Sequence, residues 1–203
     1  MRDAAWERRG AWGGVAQAGA FGRAGAAGVT ARLRDGFALA SVIAAAGGEA
    51  ALSRALEARF GLSPPARPRC VEANGHALIW SGPGQWLLRA DQRAGFAATR
   101  AALEPFAAVS DQSDARAGLR IGGPRARDVL ARGVMIDLDP RAFAVGDVAM
   151  TSIAHVNLHL WRAQDDGDPT YELLVPRSLA ASFWSWFAAS AAQFGCAVSG
   201  APD

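Results

Sequence analysis

The pattern of apolar and polar positions along the chain predicts one order of elements twice: two strands, a helix, three strands and a helix. In the first copy, alternating positions predict strands over 29–34 and 37–43, which an Asp-Gly turn would join as a hairpin. Apolar residues at helical spacing over 49–60 predict the first helix, and Gly61 is placed to end it.

Three strands and a helix complete this first copy. Strands are predicted at 70–73, 76–80 and 85–89, because Asn-Gly and Gly-Pro-Gly turns separate three runs of strand-forming residues. Asp91 would then cap a helix that continues to about Glu104.

The same order is predicted again from residue 107 onward. Strands are predicted at 107–111, 115–121, 147–154, 155–161 and 170–175, and the pattern leaves open whether 147–161 is one bent strand. Pro124 would begin a helix that reaches Arg132, and the last helix would run from near Pro176 to Phe194. We therefore expect a single α+β domain over 28–203, made of two similar β-β-α-β-β-β-α halves at about 28–106 and 107–198.

The first 27 residues differ from the rest of the chain, because they are rich in Gly and Ala and show no clear period. They are predicted to form a flexible N-terminal arm. Trp6, Trp12 and Phe21 are unusual for a solvated tail, so they could anchor the arm on this protein or on a partner.

Composition and charge narrow the function classes. Apolar residues make up 51% of the 203 residues, which indicates a globular protein. The basic residues are all Arg and are interleaved with acids, and the net charge is only +2, so no nucleic-acid partner is expected. Without lysine the chain cannot form a lysine Schiff base or a lysine-based phosphate loop.

Location is predicted from cysteine usage and hydropathy. Cys70 and Cys196 lie far apart and have no metal-ligand spacing, which favours a reduced cytoplasmic compartment. The beginning of the chain lacks the continuous apolar stretch of a secretory signal. No run approaches the length of a membrane span, so we expect no membrane insertion.

Histidines suggest a possible metal site, but their pattern argues against it. His155, Asn157 and His159 alternate with apolar residues, as on one face of a strand, where four steps cover about 13 Å. That separation is too large for one ion, so no metal site is predicted. These three residues are instead predicted to form a polar sheet face that could meet another subunit.

Two acids near the middle of the chain are candidates for acid–base chemistry. Asp111 and Asp114 flank a turn between predicted strands, so shaping that turn is the favoured role. Arg116 and Arg120 lie on one face of the following strand and could pair with these acids.

The last predicted helix carries no charge from Ser178 to Phe194, unlike an ordinary surface helix. Large apolar residues occupy one face and small residues the other. We expect it to be covered twice, once by its own sheet and once by either another subunit or the N-terminal arm. Trp184 and Ala188 are the interface candidates on this helix.

Three segments resemble the gamma subunit of heterotetrameric sarcosine oxidase. The first is 111–133, DQSDARAGLRIGGPRARDVLARG; the second is 170–184, TYELLVPRSLAASFW; the third combines GVT at 28–30 with ALASVI at 38–43. The resemblance runs in the same order from about residue 28 to residue 195. This family is in turn similar to the folate-binding domain of the glycine-cleavage T-protein, a duplicated fold with exchanged strands.

The resemblance implies a non-catalytic subunit in a complex with alpha, beta and delta subunits. That complex would demethylate sarcosine to glycine, pass the methyl carbon to tetrahydrofolate and reduce oxygen to peroxide. FAD, FMN, NAD and tetrahydrofolate would be bound by partner subunits, and this chain would bind no cofactor. A subunit of an N-methylglutamate dehydrogenase is a related alternative.

Tyr171 and Glu172 fall where T-protein relatives have a folate-contacting aromatic-Glu pair. The preceding segment 165–169 departs from the Gly-Glu element of those relatives, and no segment matches the one that carries their chemistry. A stand-alone folate-binding protein of the T-protein type therefore remains an alternative, supported only by this pair. A free-standing interaction module is a third possibility. The other reading of the pair places Tyr171 in the core and Glu172 on an outer strand face.

Overall fold

The structure is a computed structural model that describes residues 9–164 and 167–200. Its strands are β1 (Gly19–Phe21), β2 (Val29–Arg34), β3 (Ala38–Ala44), β4 (Cys70–Ala73), β5 (His76–Gly82), β6 (Gln85–Ala90), β7 (Ala107–Asp111), β8 (Arg116–Gly122), β9 (Val148–Ile153), β10 (Val156–Arg162), β11 (Tyr171–Pro176) and β12 (Cys196–Ser199). Its helices are α1 (Glu49–Phe60), α2 (Phe96–Leu103), α3 (Ala126–Leu130) and α4 (Ala180–Ala191).

Two sheets form the centre of the fold. The larger sheet has seven strands in the order β1-β12-β2-β8-β11-β10-β9, and the smaller has five in the order β4-β5-β6-β3-β7. Side chains from both sheets, among them Leu39, Ile79, Leu87, Trp161 and Leu174, form one buried cluster between them. The outer face of each sheet is packed in a second apolar cluster that includes residues of the helices. This arrangement is a mixed α/β fold in layers.

The predicted hairpin between the first two strands is wrong. β2 pairs with β8 and β12 in the larger sheet, whereas β3 pairs with β6 and β7 in the smaller sheet. The chain still bends at the Asp-Gly step, with Gly36 at φ +80°. Turn chemistry is local, however, and the strand partners are set by which faces can be buried together.

β7 and β8 show the same separation, because β7 joins the smaller sheet and β8 the larger. As a result, β4-β5-β6-β3-β7 in one sheet has the same arrangement as β9-β10-β11-β8-β2 in the other. Each of these five-stranded sets therefore contains one strand from the other part of the chain: β7 in the smaller sheet and β2 in the larger one.

Local predictions agree with the structure more closely. Helix α1 ends at Phe60, and Gly61 has the left-handed conformation at φ 67° that favours glycine. The open question over 147–161 is settled by a two-residue turn, in which Ala154 and His155 have φ values of 48° and 67°. This turn joins two antiparallel strands.

Two helix boundaries differ from the predictions. Asp91 does not cap α2, which begins at Phe96 after a left-handed Gly95. The Asp91 carboxylate instead lies near Arg89 and Arg34. The helix predicted from Pro124 to Arg132 is limited to Ala126–Leu130, because its ends continue as irregular turns.

The described part of the N-terminal arm, residues 9–27, contacts the rest of the fold through Trp12 and through β1. The Trp12 side chain is fully buried, and its indole N–H donates to the Gly118 carbonyl oxygen at 2.6 Å. β1 pairs with β12, a short strand that the sequence pattern did not reveal. Trp6, the other proposed anchor, lies outside the described residues.

Candidate functional site

A buried carboxylate marks the centre of the space between the two sheets. Glu172 on β11 is only 4% exposed. Its Oε1 accepts hydrogen bonds from Arg34 Nη1 at 2.9 Å and Arg120 Nη1 at 3.2 Å. Strand register produces this grouping. Arg120 on β8 lies opposite Glu172 on β11 and, on its other side, opposite Arg32 on β2. Arg34, two residues after Arg32, points to the same face of β2.

Further charges extend this network along the smaller sheet. Arg89 on β6 is 7% exposed and contacts Asp91 Oδ1 at 3.4 Å and Glu72 Oε1 at 3.5 Å. Asp91 also lies 3.9 Å from Arg34. Arginines and acids therefore alternate through the network, and each buried charge has an opposite partner, as burial requires.

Tyr171 and Glu172 do not converge on one pocket. Consecutive side chains on a strand point to opposite faces. Tyr171 is 1% exposed and belongs to the apolar cluster on the helix side, which confirms its predicted place in the core. Glu172 faces the other sheet, so its prediction as an outer-face residue is wrong: that face of the strand is covered by the second sheet.

This geometry does not fit a folate site built on the pair. Both arginines donate to the same oxygen, Glu172 Oε1, and Tyr171 lies on the other face of the sheet, so one ligand could not contact both side chains of the pair. The arginines were missed at the sequence level, because the pairing depends on strands separated by 52 and 138 residues.

Asp111 and Asp114 shape and anchor their turn, as predicted. Asp111 Oδ1 accepts the backbone N–H of Ser113 at 2.9 Å, and the carboxylate lies 3.5 Å from Arg100. Asp114 lies 3.0 Å from Arg93. The suggested pairing of these acids with Arg116 and Arg120 is wrong, because Arg93 and Arg100 on the smaller-sheet side are closer to them.

A cleft of about 340 Å³ opens beside this centre, where the smaller sheet stops covering the larger one. Residues that line it include Arg116 on β8, Met150 and Ser152 on β9, and Asn157, Leu158 and His159 on β10. Asn157 lies opposite Ser152, and His159 lies opposite Met150, so the cleft spans adjacent strands.

His159 forms the covered end of this cleft. It is 5% exposed, and its Nε2 lies 3.0 Å from Ser81 Oγ, a residue of β5 in the other sheet. Burial, and secondarily the charge of Arg116, lowers the His159 pKa to about 4. The imidazole is therefore neutral at pH 7.

Two of the three polar residues predicted to share a sheet face do so: Asn157 and His159 line the cleft on one face of β10, whereas His155 lies in the preceding turn. His155 is exposed in the β9–β10 turn, Asn157 is exposed on β10, and His159 is buried against Ser81. The single exposed His-Asn-His face is therefore wrong, because a two-residue turn removes His155 from the strand and the second sheet covers His159. In the described ranges, no cluster of three or more His, Cys, Asp or Glu side chains could hold a metal ion.

Helix α4 is covered partly from within the chain. Phe183 and Phe187 are fully buried against the larger sheet. Trp184 is half-buried beneath Trp12 and Phe21, at ring-centroid distances of 5.8 and 6.4 Å. The sequence left open whether another subunit or the N-terminal arm packs on the second side of this helix, and the arm covers part of it at Trp184.

The rest of α4 stays accessible in the isolated chain. Ala188 is half-buried, whereas Ala181, Ser185 and Ala189 are exposed. A groove of about 610 Å³ lies beside the helix and is lined by Trp186 and by Met135, which is 78% exposed. In the part of the chain that the structure describes, no helix is both long and apolar enough to cross a membrane.

Comparisons with known proteins agree with this fold. Residues 85–202 match the GCVT N-terminal domain family. The solved heterotetrameric sarcosine oxidase from Corynebacterium sp. U-96, in complex with pyrrole 2-carboxylate, contains a chain with a TM-score of 0.71 and 29% identity, over 82% of this chain and 85% of that one. The glycine cleavage system aminomethyltransferase T from Bartonella henselae shares the fold, with a TM-score of 0.58 at 16% identity, over 82% of this chain and 49% of that one.

Curated relatives identify the family more narrowly. The sarcosine oxidase subunit gamma of Corynebacterium sp. strain U-96 is 32% identical over 70% of each chain. That of strain P-1 is 32% identical over 73% of this chain and 71% of the relative, and that of Arthrobacter sp. is 36% identical over 57% of each. The chain thus belongs to the sarcosine oxidase gamma subunit family and carries a GCVT N-terminal domain.

Proposed function

We propose that this chain is a non-catalytic structural subunit of a heterotetrameric sarcosine oxidase, assembled with alpha, beta and delta subunits in the cytoplasm. The complex would oxidise sarcosine to glycine, transfer the one-carbon unit to tetrahydrofolate and reduce oxygen to peroxide. FAD, FMN, NAD and tetrahydrofolate would be bound by the partner subunits. This chain would contribute contact surfaces that help the complex to assemble.

One observation carries the non-catalytic part of this proposal: the Glu172 carboxylate is held by two arginines, while Tyr171 lies on the other side of the sheet. Both hydrogen bonds to this carboxylate come from charged groups of the same chain, so it already makes strong internal contacts. We therefore assign structural roles to Tyr171 and Glu172. The chain also matches a gamma subunit over 70% of its length.

We also infer that the fold is a duplication of two halves, at about 28–106 and 107–198, that exchange their first strands. The equivalent arrangement of β4-β5-β6-β3-β7 and β9-β10-β11-β8-β2 supports this inference. Because each half completes the sheet of the other, we expect the two halves to fold together.

Calorimetry with tetrahydrofolate on the full chain tests the non-catalytic role. We expect no binding in the micromolar range, since the Glu172 carboxylate is already paired. Micromolar binding that Tyr171→Phe weakens would favour the stand-alone folate-binding alternative. Rates of the purified complex with sarcosine and with N-methylglutamate distinguish an oxidase from the dehydrogenase alternative, and we expect sarcosine to be the faster substrate.

A further inference from the structure

The cleft beside His159 has a charge that nothing in the described residues balances. Arg116 is half-buried at the beginning of β8, opposite Pro176 on β11. Burial lowers the Arg116 pKa, and no acid of the described chain contributes to that change. The other arginines of this sheet face that point toward the centre, Arg34 and Arg120, are both paired with Glu172.

The remaining lining of the cleft is neutral. No described residue that lines it is an acid, and His159 is uncharged at pH 7 because its pKa is about 4. The cleft therefore carries one positive charge, next to the polar side chains of Asn157 and Ser152 and the apolar side chain of Met150.

Part of the polar lining is held in place by the fold. The His159 ring is held by the contact of its Nε2 with Ser81 Oγ of the smaller sheet. Its Nδ1 is buried without a hydrogen-bond partner in the described chain. Gly118, two residues after Arg116, packs so tightly under Phe37 that an added Cβ would lie 2.8 Å from the ring. The sheets thus close firmly at Gly118 and leave Arg116 at the open edge.

We propose that this cleft binds a carboxylate group, with the Arg116 guanidinium as its ionic partner and Asn157 and Ser152 beside it as neutral hydrogen-bonding groups. A guanidinium presents paired N–H donors that match the two oxygens of a carboxylate. A single positive charge suits a monoanion. The short apolar body of the ligand would lie against Met150, and a volume of about 340 Å³ accommodates a small molecule or one side chain.

The absence of an acid among the described lining residues also predicts selectivity. A zwitterionic amino acid would bring an ammonium group that finds no anionic partner there, and burying an unpaired charge is costly. A plain aliphatic carboxylate such as butyrate is therefore expected to bind better than sarcosine or glycine.

Titration of the full chain with sodium butyrate, followed by the NMR signals of the His159 ring, tests the site. We expect a saturable shift that sodium chloride and the neutral isostere butyramide do not reproduce. Arg116→Gln is expected to weaken butyrate binding by about tenfold or more, as for loss of a charged hydrogen bond. The matched control is Arg32→Gln, which removes an exposed arginine of the neighbouring strand β2 outside the cleft.

A second arm identifies the source of the carboxylate and rests on the proposed function, whereas the titration of the lone chain does not. If butyrate binds equally to the assembled complex, the cleft takes a free carboxylate. If the assembled complex no longer binds butyrate and Arg116→Gln weakens assembly, a partner's acidic side chain supplies the group. The proposal is overturned if the lone chain shows no saturable shift, or if Arg116→Gln binds butyrate as the unaltered chain does.

Discussion

Single residues in this protein acquire their roles from the second sheet. The alternation along β11 separates Tyr171 from Glu172, but it cannot say which of the two faces is open to water. The smaller sheet covers the Glu172 face, so an acid that a lone sheet would expose becomes a buried ion-pair partner of Arg34 and Arg120. The same cover makes His159 a buried neutral group.

Removing the Glu172 charge should destabilise the fold. Glu172→Gln keeps the side-chain shape but leaves two arginines between the sheets without their acid, and we expect a loss of about 3 kcal/mol in unfolding free energy. Urea unfolding of the full chain measures it. Glu72→Gln is the control, since Glu72 is 54% exposed in its pair with Arg89 and its loss should cost less than about 1 kcal/mol. Equal effects of the two changes would contradict the central role of Glu172.

His159 should make stability depend on pH. Its pKa is about 4 in the fold and about 6.5 when unfolded, so between these values the unfolded chain binds more protons. Its contribution is therefore complete above pH 6.5 and is lost as the pH falls toward 4, by about 3 kcal/mol at most. His159→Gln should lower the difference in unfolding free energy between pH 7 and pH 4.5.

The exposed turn residue gives the control for this pH effect. His155→Asn tolerates the left-handed conformation at φ 67° and should keep the dependence of the unaltered chain. If His159→Gln also keeps that dependence, then His159 is not buried in its neutral form.

Elements were predicted well where their signals are local. Helix α1 and the turn at 74–75 follow from apolar spacing and from turn residues, which act over a few positions. The turn at 154–155 was left open, because Ala154 and His155 are not typical turn residues. Strand partners were predicted less well. The Asp-Gly step between β2 and β3 suggests a hairpin, but it gives no information about which sheet each strand joins. The short β12 and its pairing with β1 gave no periodic signal over four residues. The docking of Trp12 depends on β8, 106 residues away.

The N-terminal arm should contribute strongly to stability through Trp12. Trp12→Ala removes a fully buried indole that packs against Trp184 of α4, and we expect a loss of about 3–5 kcal/mol, measured by urea unfolding. Trp12→Phe retains most of the ring packing but leaves the Gly118 carbonyl without its indole donor, and should cost about 1–2 kcal/mol. A loss below about 1 kcal/mol for Trp12→Ala would show that the arm is not docked.

The exposed small face of α4 is expected to meet another subunit. Ala189 is exposed in the lone chain, so Ala189→Arg should leave its circular dichroism and thermal midpoint unchanged and should reduce its co-purification with the other subunits. Ala188 is less suitable for this test, because it is already half-buried within the chain. Ala189→Ser keeps the small size and should assemble normally. Full assembly of Ala189→Arg would remove this helix from the interface.

The whole protein combines a network of ion pairs between the two sheets with apolar clusters on both faces of each sheet. The centre between the sheets is closed by balanced ion pairs, and the candidate folate pair is divided between two faces of one sheet. The family could be inferred from sequence because its motifs are contiguous segments, such as 111–133 and 170–184. The burial and pairing of Glu172 could not be inferred from sequence, because they depend on Arg34 and Arg120 reaching it from two other strands.

Native mass spectrometry of the chain co-expressed with the proposed alpha, beta and delta subunits tests its role as a structural subunit. We expect an assembly that contains all four chains, from which this chain dissociates without flavin, nicotinamide nucleotide or folate. A structural role is contradicted if this chain is found alone or only with copies of itself while the other three assemble without it, or if it leaves the complex carrying a stoichiometric cofactor.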